Sequence, residues 1–360
     1  MSQVSNPALF PHPFSKAYWV EAARELKTTK VLIFAALMIA LRVVLKMVSI
    51  PVGVDMRINT AFFINAYGAM VFGPVVAIVA AAISDTLGCL LFPTGVYFFP
   101  FVFIEIAGSL IFALFFYRAR VSSLRVILAR FLICFGVNIV LNTPVMWLYY
   151  KVVMGKYYAL VDLPRIAKNL AMFPIESFLL VLFFRAVIPP TKSAGLIYSD
   201  AEKLRFTKRN VVVLVVLFVV GVASVFGYSV YSYNTTSLSA KYTPQERLER
   251  NTAIRDVVLE NNAALADGTV VAVIESALPK FGDPNVTYSV AVYTVDEAEL
   301  EANIAEKKAE NPDSTYGLDT LNGYSKSKAK ADDALVNVGY ATIVLDKKTG
   351  KVVSYADDVA

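Results

Sequence analysis

Residues 54–108 read VDMRINTAFFINAYGAMVFGPVVAIVAAAISDTLGCLLFPTGVYFFPFVFIEIAG. The apolar runs are too long for a soluble core, and Arg57, Asn59, Asn65, Asp85 and Glu105 interrupt them. A polar group inside a lipid-length segment is costly, so it faces a bundle interior or a water-filled cavity and marks a pathway or a site. The stretch therefore predicts a pocket embedded in a membrane bundle.

Outward from this stretch, composition divides the chain in two. It is 57% hydrophobic and 18% charged, where a globular domain carries about 25% charged residues. Residues 1–231 hold 21 Lys/Arg and 9 Asp/Glu, a net +12, whereas residues 232–360 hold 13 and 20, a net −7. A basic-edged membrane bundle is thus joined to an acidic, water-soluble tail. Both cysteines, Cys89 and Cys134, lie in apolar runs, so the tail has no disulfide or zinc framework. The single histidine, His12, sits between Pro11 and Pro13, which excludes His-dependent triads and HExxH zinc sites. No GxxxxGK[ST] phosphate loop occurs, so any ATP-driven process needs another chain. No cofactor and no nucleic-acid partner is expected, and membrane lipid is the expected surrounding.

Seven spans are expected at about 30–50, 59–72, 74–91, 97–117, 126–150, 165–188 and 211–231, most of them near the ~20 residues that cross a bilayer. Gly73-Pro74 separates the second from the third, since proline suits the first position of a helix. Lys/Arg bias favours the cytoplasmic side. Residues 1–29, the 118–125 loop and the linker 191–210 are basic and alternate correctly if the N-terminus is inside. Loops 51–58, 92–96 and 151–164 then face outward, and the seventh span exports the tail. The expected layout is an N-terminal segment 1–29, a six-helix membrane domain 30–190, a linker 191–210, a helix 211–231 and an extracellular α+β domain 232–360.

Helical periodicity selects pocket candidates, because positions three, four or seven apart share a face. Arg165, Asn169, Met172 and Glu176 form one stripe on span 6, Asn138 and Asn142 are four apart on span 5, and Asp85 lies in the outward half of span 3. Tyr97 and Phe98 are placed to stack on a flat ligand or to join an aromatic belt. On span 1, Arg42 and Lys46 form a pair whose lysine also fits snorkelling to the interface. Ala36 and Ala40 form a small-xxx-small pair that admits a close neighbour, either within the chain or from a partner.

The run RINTAFFINAYGAMVFGPVVAIVAAAISDTLGCLLFPTGVYFFP (57–100), followed by LNTPVMWLYYKVVMGKYYALVDLPRIAKNLAMFPIE (141–176), resembles the folate-type substrate-binding subunits of energy-coupling factor (ECF) vitamin transporters. The Gly-Pro turn, Asp85-x-x-Gly88, the PTGVYF loop and the LNT, GK and LPRI segments carry the likeness, which spans about 28–190. The resemblance implies a six-helix subunit that binds a vitamin and works with a transmembrane coupling subunit and two cytoplasmic ATPases. It implies docking of the coupling subunit at Ala36 and Ala40. Folate suits the candidates: its carboxylates pair with Arg57, Arg165 and Arg42, and its pterin edge presents donors to Glu176, Asp85, Asn138 and Asn142. Another flat heteroaromatic vitamin or a queuosine precursor is the alternative cargo. A membrane sensor is the alternative from another class, weakened by the absence of an expected cytoplasmic output domain. A membrane enzyme lacks a nucleophile–base pair.

The tail departs from that family. Residues 242–266 and 296–311 read as amphipathic helices, 288–295 as a strand and 339–358 as a hairpin turning at Lys347–Gly350.

Overall fold

The computed structural model describes residues 9, 13–53, 56–93, 96–197, 204, 207–265 and 268–359; His12, the Thr94-Gly95 turn, Lys203 and Arg205 lie outside the described residues. The chain divides into two compact units, Met1–Ser229 and Val230–Ala360.

The first unit opens with α1 (Lys16–Glu25), whose N-cap Ser15 accepts from the Tyr18 N–H. Tyr18 is buried and donates its hydroxyl to the Ala113 carbonyl at 2.9 Å. Then come α2 (Thr29–Met47), β1 (Ser49–Gly53), β2 (Met56–Asn59), α3 (Ala61–Leu91), α4 (Phe101–Phe116), α5 (Ser123–Val152), α6 (Leu163–Ser193) and α7 (Lys208–Thr235). Of these, α5, α6 and α7 are long and apolar enough to cross a membrane as single helices, and α3 has that length only as the sum of two arms.

The helix α3 is two arms. Asn65 bonds Arg42 and Asp85 bonds Lys46, one turn apart on α2. A straight helix would separate residues 65 and 85 by about 30 Å, so the chain doubles back between them. It does so at Gly73, with φ of 77°, immediately before Pro74. A Cβ at Gly73 would stand 2.9 Å from the Tyr117 ring, so both backbone and space demand glycine.

Two features depart from an all-helical bundle. Residues 51–53 and 56–58, expected within a loop, lie in two antiparallel strands in which Ser49 faces Asn59 and Pro51 faces Arg57. The strand period of two buries Met56 and Ile58 against Met172 and turns Arg57 and Asn59 the other way. Second, α5 carries a π-helical stretch over Leu132–Leu141. Seventh in order, α7 lies on α6: Gly221 leaves only 2.9 Å between a notional Cβ and the Ile175 nitrogen, and Phe218 packs on Phe178 at 5.3 Å.

The second unit is α+β. After a 3₁₀ turn (Leu238–Lys241) come α8 (Pro244–Asn261), β3 (Val270–Pro279), β4 (Asn285–Val295), α9 (Glu297–Glu310), the short α10 (Leu318–Asn322) and α11 (Lys326–Ala329), β5 (Leu335–Asp346) and β6 (Val352–Asp357). The strands form an antiparallel sheet in the order β3-β4-β5-β6. Ile254 and Val258 of α8 cover one face, and Leu321, Ala329 and Tyr324 cover the other. The expected turn at Lys347–Gly350 is present, with Gly350 at φ 68° donating to the Asp346 carbonyl. Strand β3 is an addition to the sequence-derived elements.

Candidate functional site

Two cavities open into the first unit and meet at Lys46, Asn59 and Glu105. The larger, about 710 Å³, is walled by Arg57 from β2, Asp85 and Gly88 from α3, Tyr97, Phe98 and Phe101 before and within α4, and Tyr149 from α5. The smaller, about 210 Å³, is walled by Arg42, Phe62, Asn65, Arg130, Asn138 and Glu176.

Ion pairs line both. Arg42 is 5% exposed, pairs with Glu105, and donates to Asn65 at 3.2 Å and Ser109 at 3.3 Å. Lys46 reaches Asp85 at 3.1 Å and Glu105 at 3.2 Å. Thus two cations and two carboxylates from three helices neutralise one another. Across the smaller cavity Arg130 pairs with Glu176 and stacks its guanidinium 4.7 Å from the Phe62 ring centre. Burying such charges is costly unless each finds partners, and here the partners come from elements distant in sequence. Arg57, by contrast, is exposed and makes no hydrogen bond or ion pair among the described residues.

Aromatic rings line one side of the larger cavity. Phe98 packs edge-on against Phe101 at 5.8 Å and Tyr149 at 5.5 Å, and the Tyr97 hydroxyl shares a hydrogen bond with Thr86 at 3.2 Å. Such a cluster offers edges and faces to a flat ligand.

The structure distributes the sequence candidates over three places. Arg57, Asp85, Tyr97 and Phe98 line the larger cavity; Arg42, Asn138 and Glu176 line the smaller. Asp85 and Glu176, grouped at one ligand end by the sequence, therefore open into different cavities. Arg165, Asn169 and Asn142 line neither. Arg165 and Asn169 sit along the α5–α6 seam, where Arg165 donates to Thr143, and Asn138 donates to Asn169 at 3.3 Å. The stripe on α6 is one face, as periodicity predicts, but that face mainly packs against α5. Asn142 leaves the cavity because the π-helical stretch, with its i→i+5 bonds, winds differently from the 3.6-residue period that put it beside Asn138. Two guanidinium nitrogens of Arg165, Nε and Nη1, are buried without a partner.

Lys46 does not snorkel: it turns inward to two carboxylates. Glu105, Asn65, Ser109 and Arg130 complete the site. Arg130 was detectable, because 130, 134 and 138 repeat every four residues and carry Arg, Cys and Asn. Ala36 and Ala40 are exposed on α2, beside exposed Ile33, Leu37 and Val44.

A helical membrane bundle around a charged, aromatic-walled cavity defines a membrane protein that binds a small solute. Residues 26–184 match the family described as ECF-type riboflavin transporter, S component. A folate transporter, FolT, of Clostridium novyi (strain NT) is 37% identical over 153 residues, covering 42% of this chain and 86% of the relative. A second FolT, of Leuconostoc mesenteroides subsp. mesenteroides, is 30% identical over 152 residues, covering 41% and 80%. The solved structure titled "Crystal structure of FolT bound with folic acid" aligns at 27% identity with a TM-score of 0.39, over 48% of this chain and 99% of the other. The chain belongs to the ECF transporter S components and is similar to FolT folate transporters.

Proposed function

We propose that the chain is the folate-binding subunit of an ATP-driven ECF vitamin transporter. Arg57 carries this reading. The two cavities are lined by the cations Arg42, Lys46, Arg57 and Arg130 and the acids Asp85, Glu105 and Glu176. Every acid is already paired with a cation, which leaves Arg57 uncommitted at the aromatic-walled cavity. A flat ligand with a carboxylate tail fits that arrangement: rings against Tyr97, Phe98 and Tyr149, carboxylate on Arg57. The combined space lies within the roughly 300–1,000 Å³ of ligand pockets. Asn138 and Glu176 in the smaller cavity supply acceptors for a pterin edge, and Arg42 and Lys46 exchange carboxylate partners as the ligand enters. Arg165, with two unpartnered N–H groups, is a second anchor for carboxylate if the α5–α6 seam opens.

The family description favours a second cargo, a flavin, which is also flat and heteroaromatic. It carries no carboxylate, so it leaves Arg57 unused. Calorimetric titration separates the two. Arg57→Gln is expected to weaken folate at least about tenfold, the loss of one charge-assisted contact, while leaving riboflavin unaffected. Unchanged folate affinity in Arg57→Gln, Arg165→Gln and Glu176→Gln alike would overturn the site.

In this reading the N-terminus is cytoplasmic, residues 30–190 span the bilayer six times, the linker 191–210 is cytoplasmic, and the seventh span carries residues 232–360 outside. A transmembrane coupling subunit docks on the exposed Ala36–Ala40 face of α2, and two ATPases supply the energy. The location of exposed small residues among exposed Ile33, Leu37 and Val44 supports docking, and the basic loops support the orientation.

A further inference from the structure

Within the second unit, a cleft of about 500 Å³ departs from its surroundings in charge. Residues 232–360 carry 20 acids against 13 bases. The cleft is lined by three cations, Arg247, Lys326 and Lys330, by the hydroxyls of Ser237, Ser239, Ser325 and Ser327, and by one acid, Glu275.

Its walls are built in advance. Glu275 occupies a β-bulge: Ile274 pairs with Val290 and Ser276 with Ser289, so Glu275 is the extra residue on β3. Bulges re-aim side chains, and this one sends a largely buried carboxylate to Lys326 at 3.0 Å and Lys330 at 3.7 Å. Just beside it Asn251, fully buried on α8, accepts from the Ile274 N–H and donates to the carbonyls of Asn322 and Tyr324. One side chain thereby ties together α8, the bulged strand and the segment that leads into α11. On the opposite wall the Ser237 hydroxyl accepts from the Ala277 N–H at 2.8 Å. Arg247 is held by the Tyr242 carbonyl through one Nη only.

We propose that this cleft binds an oxyanion, a phosphate or carboxylate, on a small hydroxylated carrier. Glu275 takes one N–H from Lys326 and pairs with Lys330 at 3.7 Å without a hydrogen bond, and an ammonium offers three N–H groups. Arg247, the spare lysine protons and one hydroxyl proton from each hydrogen-bonded serine pair, Ser237–Ser239 and Ser325–Ser327, line the remaining space as donors, with no second acid in the lining to repel an anion. In this role Glu275 is a resident counter-ion that holds the lysines in place and competes with the ligand.

The distinguishing consequence concerns Glu275. Saturation-transfer NMR on the full-length, detergent-solubilised protein, with glycerol 3-phosphate, glucuronate and neutral glycerol as probes, reads it directly. Both or one of the anions is expected to bind saturably, and glycerol is not. A response to glycerol 3-phosphate alone assigns phosphate, and a response to glucuronate alone assigns carboxylate. Glu275→Gln is expected to tighten binding several-fold, and Lys326→Gln with Lys330→Gln to weaken it at least about tenfold. Thermal unfolding of the tail followed by circular dichroism checks that each variant is folded, and folate titration of the same samples reads the membrane unit independently of the cleft. Absence of saturable anion binding in both wild type and Glu275→Gln, or weaker binding in Glu275→Gln, would overturn the proposal.

Discussion

The two units bury opposite things. In the tail, apolar strand residues such as Val271, Val273, Val290 and Ile343 are fully enclosed, and most charges face solvent. In the membrane unit charges are drawn inward, as at Arg42 and Arg130, while Ile33, Leu90, Phe103 and Leu163 stay exposed. A solvent that dissolves Leu needs no apolar core to drive assembly, so van der Waals packing and polar contacts hold the helices. The same interior polarity that joins the bundle is then available to a ligand. Fold and site share residues in the membrane unit, whereas in the tail Asn251 shapes the cleft and Arg247 and the lysines face it.

Cutting an interior charge gives the sharpest test of this contrast. Arg42→Met leaves Glu105 with Lys46 as its one cation, takes a donor from Asn65 and Ser109, and is expected to cost about 3 kcal/mol, the lower end for breaking a buried pair. The check is thermal unfolding in detergent; adding Glu105→Leu should recover much of the loss, and the tail should unfold unchanged. In the opposite unit, Asn251→Ala removes three hydrogen bonds at a fully buried residue. It is expected to cost about 3 kcal/mol, seen as earlier melting of the tail with folate affinity unmoved. A loss of folate affinity there would show that the units are not separate.

A smaller effect belongs to the turn in α3. Gly73→Ala forces a Cβ onto the Tyr117 ring at a positive φ, for about 1–3 kcal/mol of strain. Tyr117→Ala should relieve the contact but not the backbone part, and a calorimetric melt reads both.

Much of this was written in the sequence where one residue type has one physical use. Gly73-Pro74 announces its turn, and Gly350 announces the tail hairpin. The α6 stripe was legible as a face, but its neighbour was not, since periodicity says which residues align and not what they align against. Lys46 looked like a residue ending a span, because its two carboxylates lie on α3 and α4, far along the chain. The β1–β2 hairpin escaped because its strands are short and one contains Pro51. Strand β3 escaped for the reverse reason: Val270–Ile274 is buried on both faces, which erases the alternation that identifies a strand.

The smallest expected effect is alkaline. Tyr316 and Tyr324 both donate to Asp332, and burial with this carboxylate pushes the Tyr316 phenol up to about 12. Because the folded value exceeds the unfolded one, this stabilisation is complete below about pH 10 and fades as the pH rises towards 12. Far-ultraviolet dichroism of the tail should show earlier melting over that window, and Asp332→Asn should flatten the dependence. The membrane unit supplies the reference, with its folate affinity measured at neutral pH in the same variant.

In the proposed reading, the cavity selects a flat ligand bearing a carboxylate. Equilibrium calorimetry of the full-length chain in detergent, titrated separately with folate and riboflavin, tests it most directly. Tight, one-to-one binding of folate, with riboflavin much weaker, is the predicted result. Riboflavin binding as tightly as folate, or no binding of folate, would contradict it.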